Sequence, residues 1–429
     1  MTKTATIIDF NTDGSGKALF TNEKGKEKVL HIWNSIPGEN VEYEILKKKG
    51  DKIFAIAEKI SNPSPLRIEP LEYCFTSSSP WQIIDETKED DLKKEIALLV
   101  FKNHTEIQSL LKESEVFSDK IYFRYRQKME YHFFEDDEKL FHLGMFGRKE
   151  KGKIPIPPSA LATKELNDLA VKIVDFINKV KPGRKQIKTM IVRSTGTGET
   201  IGGIFITDRE AFDLKDFPFE NVFVYLSDPR SPASTIQEIL FTPKKTSIKE
   251  NLSDLSFAHG VMSFFQVNPK IFEETLKDIS NFLDTKDEVV DFYSGVGSIG
   301  LSIAKKVKSV VLVEENKEAS DFGEFNIKEN NIENATGINS LSEKLLDYIE
   351  KEKVIIFDPP RSGLHPKIIK TVLKTLPKKI IYLSCNIETQ ARDIEAFKDF
   401  YTPVFAKLYN FFPRTPHVES LVVLERKSL

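Results

Sequence analysis

A cysteine at the end of an apolar run is the residue of this chain best suited to covalent chemistry. Cys385 follows the run at residues 380–383, and the other cysteine of the 429 residues is Cys74. The pattern at residues 388–394 is helical, and a helix N-terminus favours the thiolate of a nearby cysteine. We therefore predict that Cys385 is a nucleophile rather than an inert buried thiol.

A glycine-rich turn lies upstream of this cysteine. Residues 291–300 read Asp-Phe-Tyr-Ser-Gly-Val-Gly-Ser-Ile-Gly, and Glu314 ends the next apolar run. Glycines let the backbone turn tightly and approach a ligand, and a carboxylate after the next strand can accept hydrogen bonds from ribose hydroxyls. The pair predicts a nucleotide-cofactor site, which a dinucleotide-dependent dehydrogenase would share.

Two further carboxylates follow or precede apolar runs. Asp358 begins the sequence Asp-Pro-Pro-Arg at the end of a predicted strand, where open α/β sheets bind ligands. The two prolines hold a rigid turn with carbonyls but no N–H, which a dehydrogenase does not need. Glu419 stands immediately before the run at 420–424 and is a candidate general base.

Composition limits the class of protein. Hydrophobic residues make up 40% of the chain and charged residues 30%, which is typical of soluble globular proteins. No apolar run approaches the roughly 20 residues of a membrane span, and the N-terminus lacks the apolar core of a signal peptide. Two distant cysteines provide neither a disulfide framework nor a paired-cysteine metal site. We predict a cytoplasmic enzyme with no metal, no membrane association and no obligate protein partner.

The charge pattern adds a possible partner. The formal net charge of −3 does not indicate nucleic-acid binding, but basic residues cluster at 120–128, 148–153 and 181–188. A single charge run is usually a solvated face. Three in one central region, the first interleaved with aromatic residues, favour an RNA-binding groove.

The first two segments of the chain read as a barrel and a mixed domain. Residues 1–60 show short strands separated by turns, which predicts a small β-barrel. The proline-rich stretch 61–65 starts the second segment as a stiff linker. Residues 61–250 predict an antiparallel sheet with one helix near 163–179, preceded by a helix near 90–113 that can pack with the catalytic domain.

Residues 251–429 alternate strand and helix, which predicts a parallel sheet of βαβ units. An antiparallel hairpin formed by 404–409 and 420–424 completes this sheet. The seven-stranded arrangement is typical of S-adenosylmethionine methyltransferases. The other predicted strands are 289–292, 310–313, 354–357 and 380–383.

Together these motifs resemble those of the RNA uracil-5-methyltransferase family, whose members modify tRNA or ribosomal RNA. The resemblance implies an α/β fold with a seven-stranded Rossmann-like methyltransferase domain, an N-terminal OB-like barrel of the TRAM type and a central antiparallel α+β RNA-binding domain. It covers nearly the whole chain and rests on residues 35–39, 64–67, 125–130, 264–268, 358–361, 384–386 and 417–419.

The resemblance also implies a reaction. A methyl group of S-adenosylmethionine passes to C5 of a uridine in tRNA or rRNA. Cys385 occupies the position of the nucleophile that adds to uracil C6, and Glu419 that of the base that removes the C5 proton. The positions that match cofactor contacts, with the glycine of the turn, are Gln266, Tyr293, Gly295, Glu314 and Asp358.

The sequence departs from the family pattern in two places. Many relatives bind an iron–sulfur cluster through four cysteines, three of which fall in the segment that corresponds to residues 67–82. Here that segment holds only Cys74, with Thr-Ser-Ser-Ser at 76–79, so we predict no cluster. Asn410 stands where relatives usually carry Asp, which bears on the hydrogen bonds around Glu419.

Other functions stay open at this stage. A nitrogen-directed methyltransferase would not need Cys385, and a non-catalytic RNA-binding or RNA-folding protein would need neither Cys385 nor Glu419. RNA cytosine-5 methyltransferases usually carry a cysteine within or after the Asp-Pro-Pro motif, and residues 361–363 have none. The motifs do not select between tRNA and rRNA, nor do they give the oligomeric state.

Overall fold

A computed structural model describes residues 3–21, 25 and 27–428. Its first sheet, within residues 3–60, has the strand order β1-β5-β6-β4-β3-β2. Alternate residues of β5 and β6, such as Val41, Tyr43 and Ile53, are buried on one face, as the two-residue period of a strand requires. The assignment of this sheet as a TRAM barrel stays a prediction. The strands are β1 (Lys3–Thr6), β2 (Asp9–Phe10), β3 (Gly16–Thr21), β4 (Glu27–Trp33), β5 (Asn40–Lys49) and β6 (Lys52–Ile60).

Helices connect this sheet to the rest of the chain. The prediction of one helix near 90–113 is wrong, because one helix ends at Val100 and the next begins at Thr105. Phe101 is fully buried between them, and Asn103 belongs to a residue type that favours turns over helix interiors. Both helices share the hydrophobic core of the C-terminal sheet. The helices are α1 (Phe75–Ser78), α2 (Glu86–Val100) and α3 (Thr105–Glu113).

The central sheet has the order β13-β12-β11-β10-β7-β8-β9, and one helix, α4, packs on it through Leu166, Ile173 and Ile177. The prediction of an antiparallel sheet is wrong for one pair, since β11 and β12 are parallel. Residues 207–221 carry the chain back to the starting end of β11 before β12 begins. The elements are β7 (Lys128–Glu135), β8 (Phe141–Phe146), β9 (Lys153–Pro155), α4 (Lys164–Val180), β10 (Ile187–Ser194), β11 (Thr200–Ile206), β12 (Val222–Leu226) and β13 (Glu238–Phe241).

The C-terminal sheet has the order β18-β17-β16-β19-β20-β22-β21 and is preceded by the hairpin β14-β15. Five strands run parallel, and β22 pairs antiparallel with both β20 and β21. The α/β architecture and the closing hairpin are therefore as predicted. The elements are β14 (Ile248–Leu252), β15 (Leu255–His259), α5 (Pro269–Ser280), β16 (Glu288–Phe292), α6 (Ser298–Ile303), β17 (Ser309–Glu314), α7 (Lys317–Glu329), β18 (Ala335–Asn339), β19 (Val354–Phe357), α8 (Pro366–Thr375), β20 (Lys379–Ser384), α9 (Ile387–Phe397), β21 (Tyr401–Tyr409) and β22 (Glu419–Arg426).

In the part of the chain that the structure describes, none of the helices combines the length and the apolar character that a membrane crossing requires.

Candidate active site

The candidate site lies at the carboxyl edge of the C-terminal sheet. Strands β16, β17, β19 and β20 are parallel neighbours, so their carboxyl ends meet at one edge, where open α/β sheets bind ligands. The fold brings the predicted residues together there, because each ends or follows one of these strands. They are Tyr293, Gly295, Glu314, Asp358 and Cys385.

The turn after β16 has an unusual backbone. Tyr293, Gly295 and Gly297 have φ angles of 64°, 56° and 85°, in the left-handed region that only glycine adopts without cost. A Cβ atom on Gly295 would lie 3.2 Å from the carbonyl oxygen of Phe264. The close approach of these two segments therefore requires glycine at position 295, and Tyr293 is held in a conformation that is strained for its residue type.

Glu314 is oriented by this same turn. Its Oε2 accepts a hydrogen bond from the Gly295 N–H at 2.8 Å, and its Oε1 accepts one from the Asn316 N–H at 2.7 Å. Burial raises the pKa of the carboxyl group, and the two N–H donors oppose the rise. Each carboxylate oxygen keeps a second lone pair, so Glu314 can still accept hydrogen bonds from a ligand.

A cavity of about 550 Å³ opens beside the turn. Tyr293, Leu341, Pro360 and Leu364 form part of its lining. The volume and the mixture of apolar walls with polar groups suit a ligand of nucleoside size.

Asp358 follows β19 at the same edge of the sheet, and Gln266 contacts it. Gln266 is buried, and its Nε2 donates a long hydrogen bond of 3.5 Å to Asp358 Oδ2. Burial raises the pKa of Asp358. Asp358 in turn raises the pKa of Glu419 by charge repulsion, so the two carboxyl groups are close enough to share one electrostatic environment.

Sheet pairing brings Cys385 near Glu419. Strand β20 pairs antiparallel with β22 as far as Ser384 opposite Ser420. Cys385 and Glu419 are the next residues beyond this pair, and the charge of Glu419 acts on the Cys385 thiol. Glu419 is 1% exposed, and its Oε1 has no hydrogen-bond partner among the described residues. Burial, then repulsion by Asp358, raises its pKa well above the usual range.

The Cys385 thiol is not a ready thiolate. Burial raises its pKa to about 12, and the charges of Glu419 and Asp358 contribute to the rise. The expectation that the N-terminus of the following helix favours the thiolate is therefore wrong for the free protein, although α9 does begin at Ile387. Two carboxylates and desolvation outweigh a helix end, whose effect is small beyond the first turn.

Known proteins are similar to this chain in sequence. A family model described as tRNA (uracil-5-)-methyltransferase matches residues 234–427. An uncharacterised RNA methyltransferase of Fusobacterium nucleatum is 30% identical over 432 residues, which cover 92% of this chain and 90% of that protein. Another, from Lactobacillus johnsonii, is 30% identical over 437 residues and 93% of each chain. The chain belongs to the tRNA (uracil-5-)-methyltransferase family.

A solved member of the family has the same fold. The crystal structure of Pyrococcus abyssi tRNA (uracil-54, C5)-methyltransferase, in complex with S-adenosyl-L-homocysteine, superposes with a TM-score of 0.76. The match covers 98% of this chain and 100% of that one, at 23% sequence identity. The fold of this chain, from its N-terminal to its C-terminal sheet, is therefore that of this solved structure.

Arg361 is a residue of the site to which the sequence reasoning gave no role. Its charge lowers the pKa of Glu419, and its charge and hydrogen bonding lower that of Cys385. The Asn386 side chain donates to the Arg361 carbonyl at 2.8 Å, which ties the Pro-Pro turn to the start of α9. A cation directly after the Asp-Pro-Pro sequence is the signal that could have identified it.

A loop of the N-terminal sheet also reaches the site. Thr12 donates to Glu388 of α9 at 2.5 Å, and the Gly14 carbonyl accepts from Trp81 Nε1 at 3.0 Å. Gly14 has a φ of 77°, and a Cβ on it would overlap the Pro416 ring. The sequence pattern predicts only turns between the strands of residues 1–60, yet this turn packs against Pro416, three residues from Glu419.

The segment around Cys74 does not fit an iron–sulfur cluster. Cys74 is buried, and burial and the charge of Glu72 raise its pKa to about 11. Ser78, Ser79 and Gln82 donate hydrogen bonds to Glu72 where further thiolates would be needed. Across residues 3–21, 25 and 27–428, no group of three or more His, Cys, Asp or Glu side chains is placed to hold a metal ion.

Proposed function

We propose that the protein is an S-adenosylmethionine-dependent methyltransferase that modifies C5 of a uridine in tRNA or ribosomal RNA. The observation that supports this proposal is the proximity of Cys385 and Glu419, which lie next to the last paired residues of β20 and β22 and interact electrostatically. A nucleophile and a base close together are what addition to C6 and proton removal from C5 require. Membership of the family supports the same reaction.

The chain's own residues fit S-adenosylmethionine. Glu314 has lone pairs for ribose hydroxyls, and Tyr293 and Leu341 would line the part of the cavity that takes the adenine. Gln266 and Asp358 would hold the end nearest Cys385. The Ser294 hydroxyl is buried with no hydrogen-bond partner in the described chain, and a polar ligand would satisfy it. When bound, S-adenosylmethionine supplies the electrophilic methyl group that C5 of the uracil accepts.

Cys385 would begin the reaction by forming a bond between its sulfur and uracil C6. The thiol must lose its proton, and the C5–C6 electron pair moves to C5 and the C4 carbonyl, which makes C5 nucleophilic. Burial raises the pKa of Asp358 to about 7, so its carboxylate is suited to accept the thiol proton as the bond forms, and Glu419 stays available for the later step. Arg361 would stabilise the developing thiolate.

Glu419 would complete the reaction. Once C5 is methylated, an ionised Glu419 takes the remaining C5 proton. The electron pair of the C5–H bond reforms the C5–C6 double bond, the C6–S bond breaks, and Cys385 leaves as a thiolate. The raised pKa of Glu419 makes its carboxylate a stronger base than an ordinary glutamate.

The RNA would lie against the central and N-terminal sheets, with the target base turned out of its stack into the pocket. Not all of the predicted basic residues are available for phosphates. Arg148 stacks 3.8 Å from the Trp33 ring, and Lys149 pairs with Glu44 and Glu58, so these cations join the two sheets. Lys120 likewise pairs with Asp90, and Lys188 donates to Ser227. The better candidates for RNA contact are the exposed cations of these two clusters, Arg124, Lys181, Arg184 and Lys185.

Tritium release from RNA containing 5-tritiated uridine tests the proposal. RNA from a strain that lacks this gene would be incubated with wild-type protein or Cys385→Ala, with and without S-adenosylmethionine. We expect release that requires both the cofactor and Cys385, and separating tRNA from rRNA then identifies the target. Binding of S-adenosylmethionine without release from either RNA would overturn uracil-5 methylation and favour a nitrogen-directed enzyme or an RNA-binding protein.

A further inference from the structure

The loop that leads into Glu419 is held by a distant part of the chain. This base loop, residues 410–418, joins β21 to β22. Three consecutive residues of this loop, 412–414, bond through their backbone groups to residues between 81 and 125, and the Thr415 N–H also donates to the Phe412 carbonyl within the loop at 3.2 Å. The bonds are Lys93 Nζ to Phe412 O (3.0 Å), Tyr125 Oη to Pro413 O (3.0 Å), Arg414 N to both Glu89 oxygens (3.0 Å each) and Trp81 N to Arg414 O (3.1 Å).

Helix α2 supplies the charged groups of this arrangement. Glu89 and Lys93 are one helical turn apart and form an ion pair of 2.9 Å, and both side chains are fully buried. Arg414 of the base loop is 1% exposed and lies 3.3 Å from Glu89. Its φ of 63° is unusual for a residue other than glycine, so these contacts hold the loop in a conformation that it would not adopt alone.

Asn410 uses both ends of its side chain in this network. Its Oδ1 accepts from Lys93 Nζ at 2.5 Å, and its Nδ2 donates to Asp90 at 2.7 Å and to Glu89 at 3.1 Å. An amide is the side chain of this size that accepts from a cation at one end and donates to two carboxylates at the other. Asn410 is fully buried. A polar atom at this position that lost its protein partner could therefore not form a hydrogen bond with water instead.

We infer that Glu89, Lys93 and Asn410 are positioning residues for Glu419, and that the carboxylates of α2 require an amide at position 410. The inference rests on the proposed function, because it concerns the step in which Glu419 takes the C5 proton. Among the buried groups, Lys93 and Arg414 balance Glu89 and Asp90. An added carboxylate at position 410 would face Asp90 where the amide now donates, and repulsion would move the start of the base loop.

Displacement of Glu419 has a distinct chemical consequence. The covalent bond to C6 forms and C5 is methylated before Glu419 acts, so a misplaced base blocks only the release of Cys385. The enzyme then stays bonded to its methylated RNA. A general loss of stability slows every step and leaves no such product, which separates positioning from a merely structural role.

The experiment compares wild type, Asn410→Asp and Glu419→Gln on tritiated RNA with S-adenosylmethionine. We expect Asn410→Asp to slow tritium release by about a hundredfold, the usual effect of a displacement of about 1 Å in a catalytic group. On a denaturing gel, this variant and Glu419→Gln should retain covalently bound RNA that carries the methyl label, and the wild type should not.

Two further variants serve as controls. Ile177→Ala removes a fully buried side chain from the core between α4 and the central sheet, a cluster of buried residues that includes none from the base loop. It should lower the melting temperature and leave no covalent RNA. The double variant Asp90→Asn with Asn410→Asp restores one donor–acceptor pair and should recover at least part of the release rate.

The inference would be overturned if Asn410→Asp released tritium at the wild-type rate, or if it lost release without retaining RNA. If the double variant released tritium no faster than Asn410→Asp alone, the role of Asp90 would be overturned. If the wild type itself released no tritium, the proposed function would fail, whatever these variants did.

Discussion

At the scale of single residues, the reactivity of Cys385 depends on the charges around it. A pKa of about 12 leaves about a thousandfold less thiolate near neutral pH than an ordinary thiol has. Glu419 and Asp358 oppose ionisation and Arg361 favours it. We therefore expect the free protein to react slowly with thiol reagents. In the proposed reaction, this low reactivity protects Cys385 until the target uridine is bound.

Replacing Arg361 with Gln should make the thiol still less reactive. Loss of the cation raises the pKa of Cys385, and we expect alkylation by iodoacetamide to slow by roughly tenfold for each pKa unit. Mass spectrometry would follow Cys385 separately from the buried Cys74 between pH 7 and 10, where the rate should rise with pH. Arg209→Gln, which removes a surface ion pair with Glu238, is the matched control. Equal rates in wild type and Arg361→Gln would contradict this account.

At the scale of elements, the glycine turn after β16 should govern cofactor binding. Gly295→Ala forces a Cβ to 3.2 Å from the Phe264 carbonyl oxygen at a φ of 56°, so the turn and the Glu314 carboxylate must shift apart. We expect S-adenosylhomocysteine binding, measured by calorimetry, to weaken by more than tenfold, or about 1.4 kcal/mol.

A second glycine provides the control for this substitution. Gly50 has a φ of 61° and open space where a Cβ would stand. Gly50→Ala therefore carries the same backbone cost, about 1 kcal/mol, without the clash. Both variants should melt at lower temperatures, and only Gly295→Ala should lose affinity. Equal affinities would show that the turn does not shape the cofactor site.

Elements with a strong local signal could be predicted from the sequence. The strands of the parallel sheet are apolar runs because they are buried on both faces. Since parallel strands have their carboxyl ends at one edge of the sheet, the grouping of the residues that follow them could also be predicted. Strand β18 was not predicted because it is an edge strand whose residues, Ala335 to Asn339, are all at least partly exposed. The parallel pairing of β11 and β12 depends on the path of a loop, which no local pattern encodes.

The contacts that hold the base loop could not be predicted from local sequence patterns, for a different reason. Asn410 and Asp90 are 320 residues apart in the chain, and neither residue type is unusual on a surface. The departure at position 410 was visible in the sequence, but its cause is the pair of carboxylates on α2. Only the packed structure relates the two.

At the scale of the whole molecule, the N-terminal sheet and the catalytic sheet share the surface around Glu419. The loop that contains Gly14 packs against Pro416, and Arg148 of the central region stacks on Trp33 of the N-terminal sheet. The N-terminal sheet therefore contacts both the base loop and the central region. An RNA bound across them would be positioned by contacts that lie outside the catalytic sheet.

Gly14→Ala tests whether the N-terminal loop helps to position the RNA. The added methyl group would overlap the Pro416 ring at a backbone conformation with φ of 77°, so the N-terminal loop must move away from the base loop. We expect weaker RNA binding in a filter assay and slower tritium release, with S-adenosylhomocysteine affinity unchanged because the residues that line the cavity all lie between 293 and 392. Gly38→Ala, at a φ of 91° with open space around it, has the same backbone cost in the same sheet and should keep wild-type RNA affinity. If both variants bound RNA equally well, the packing of Gly14 on Pro416 would have no part in holding the substrate.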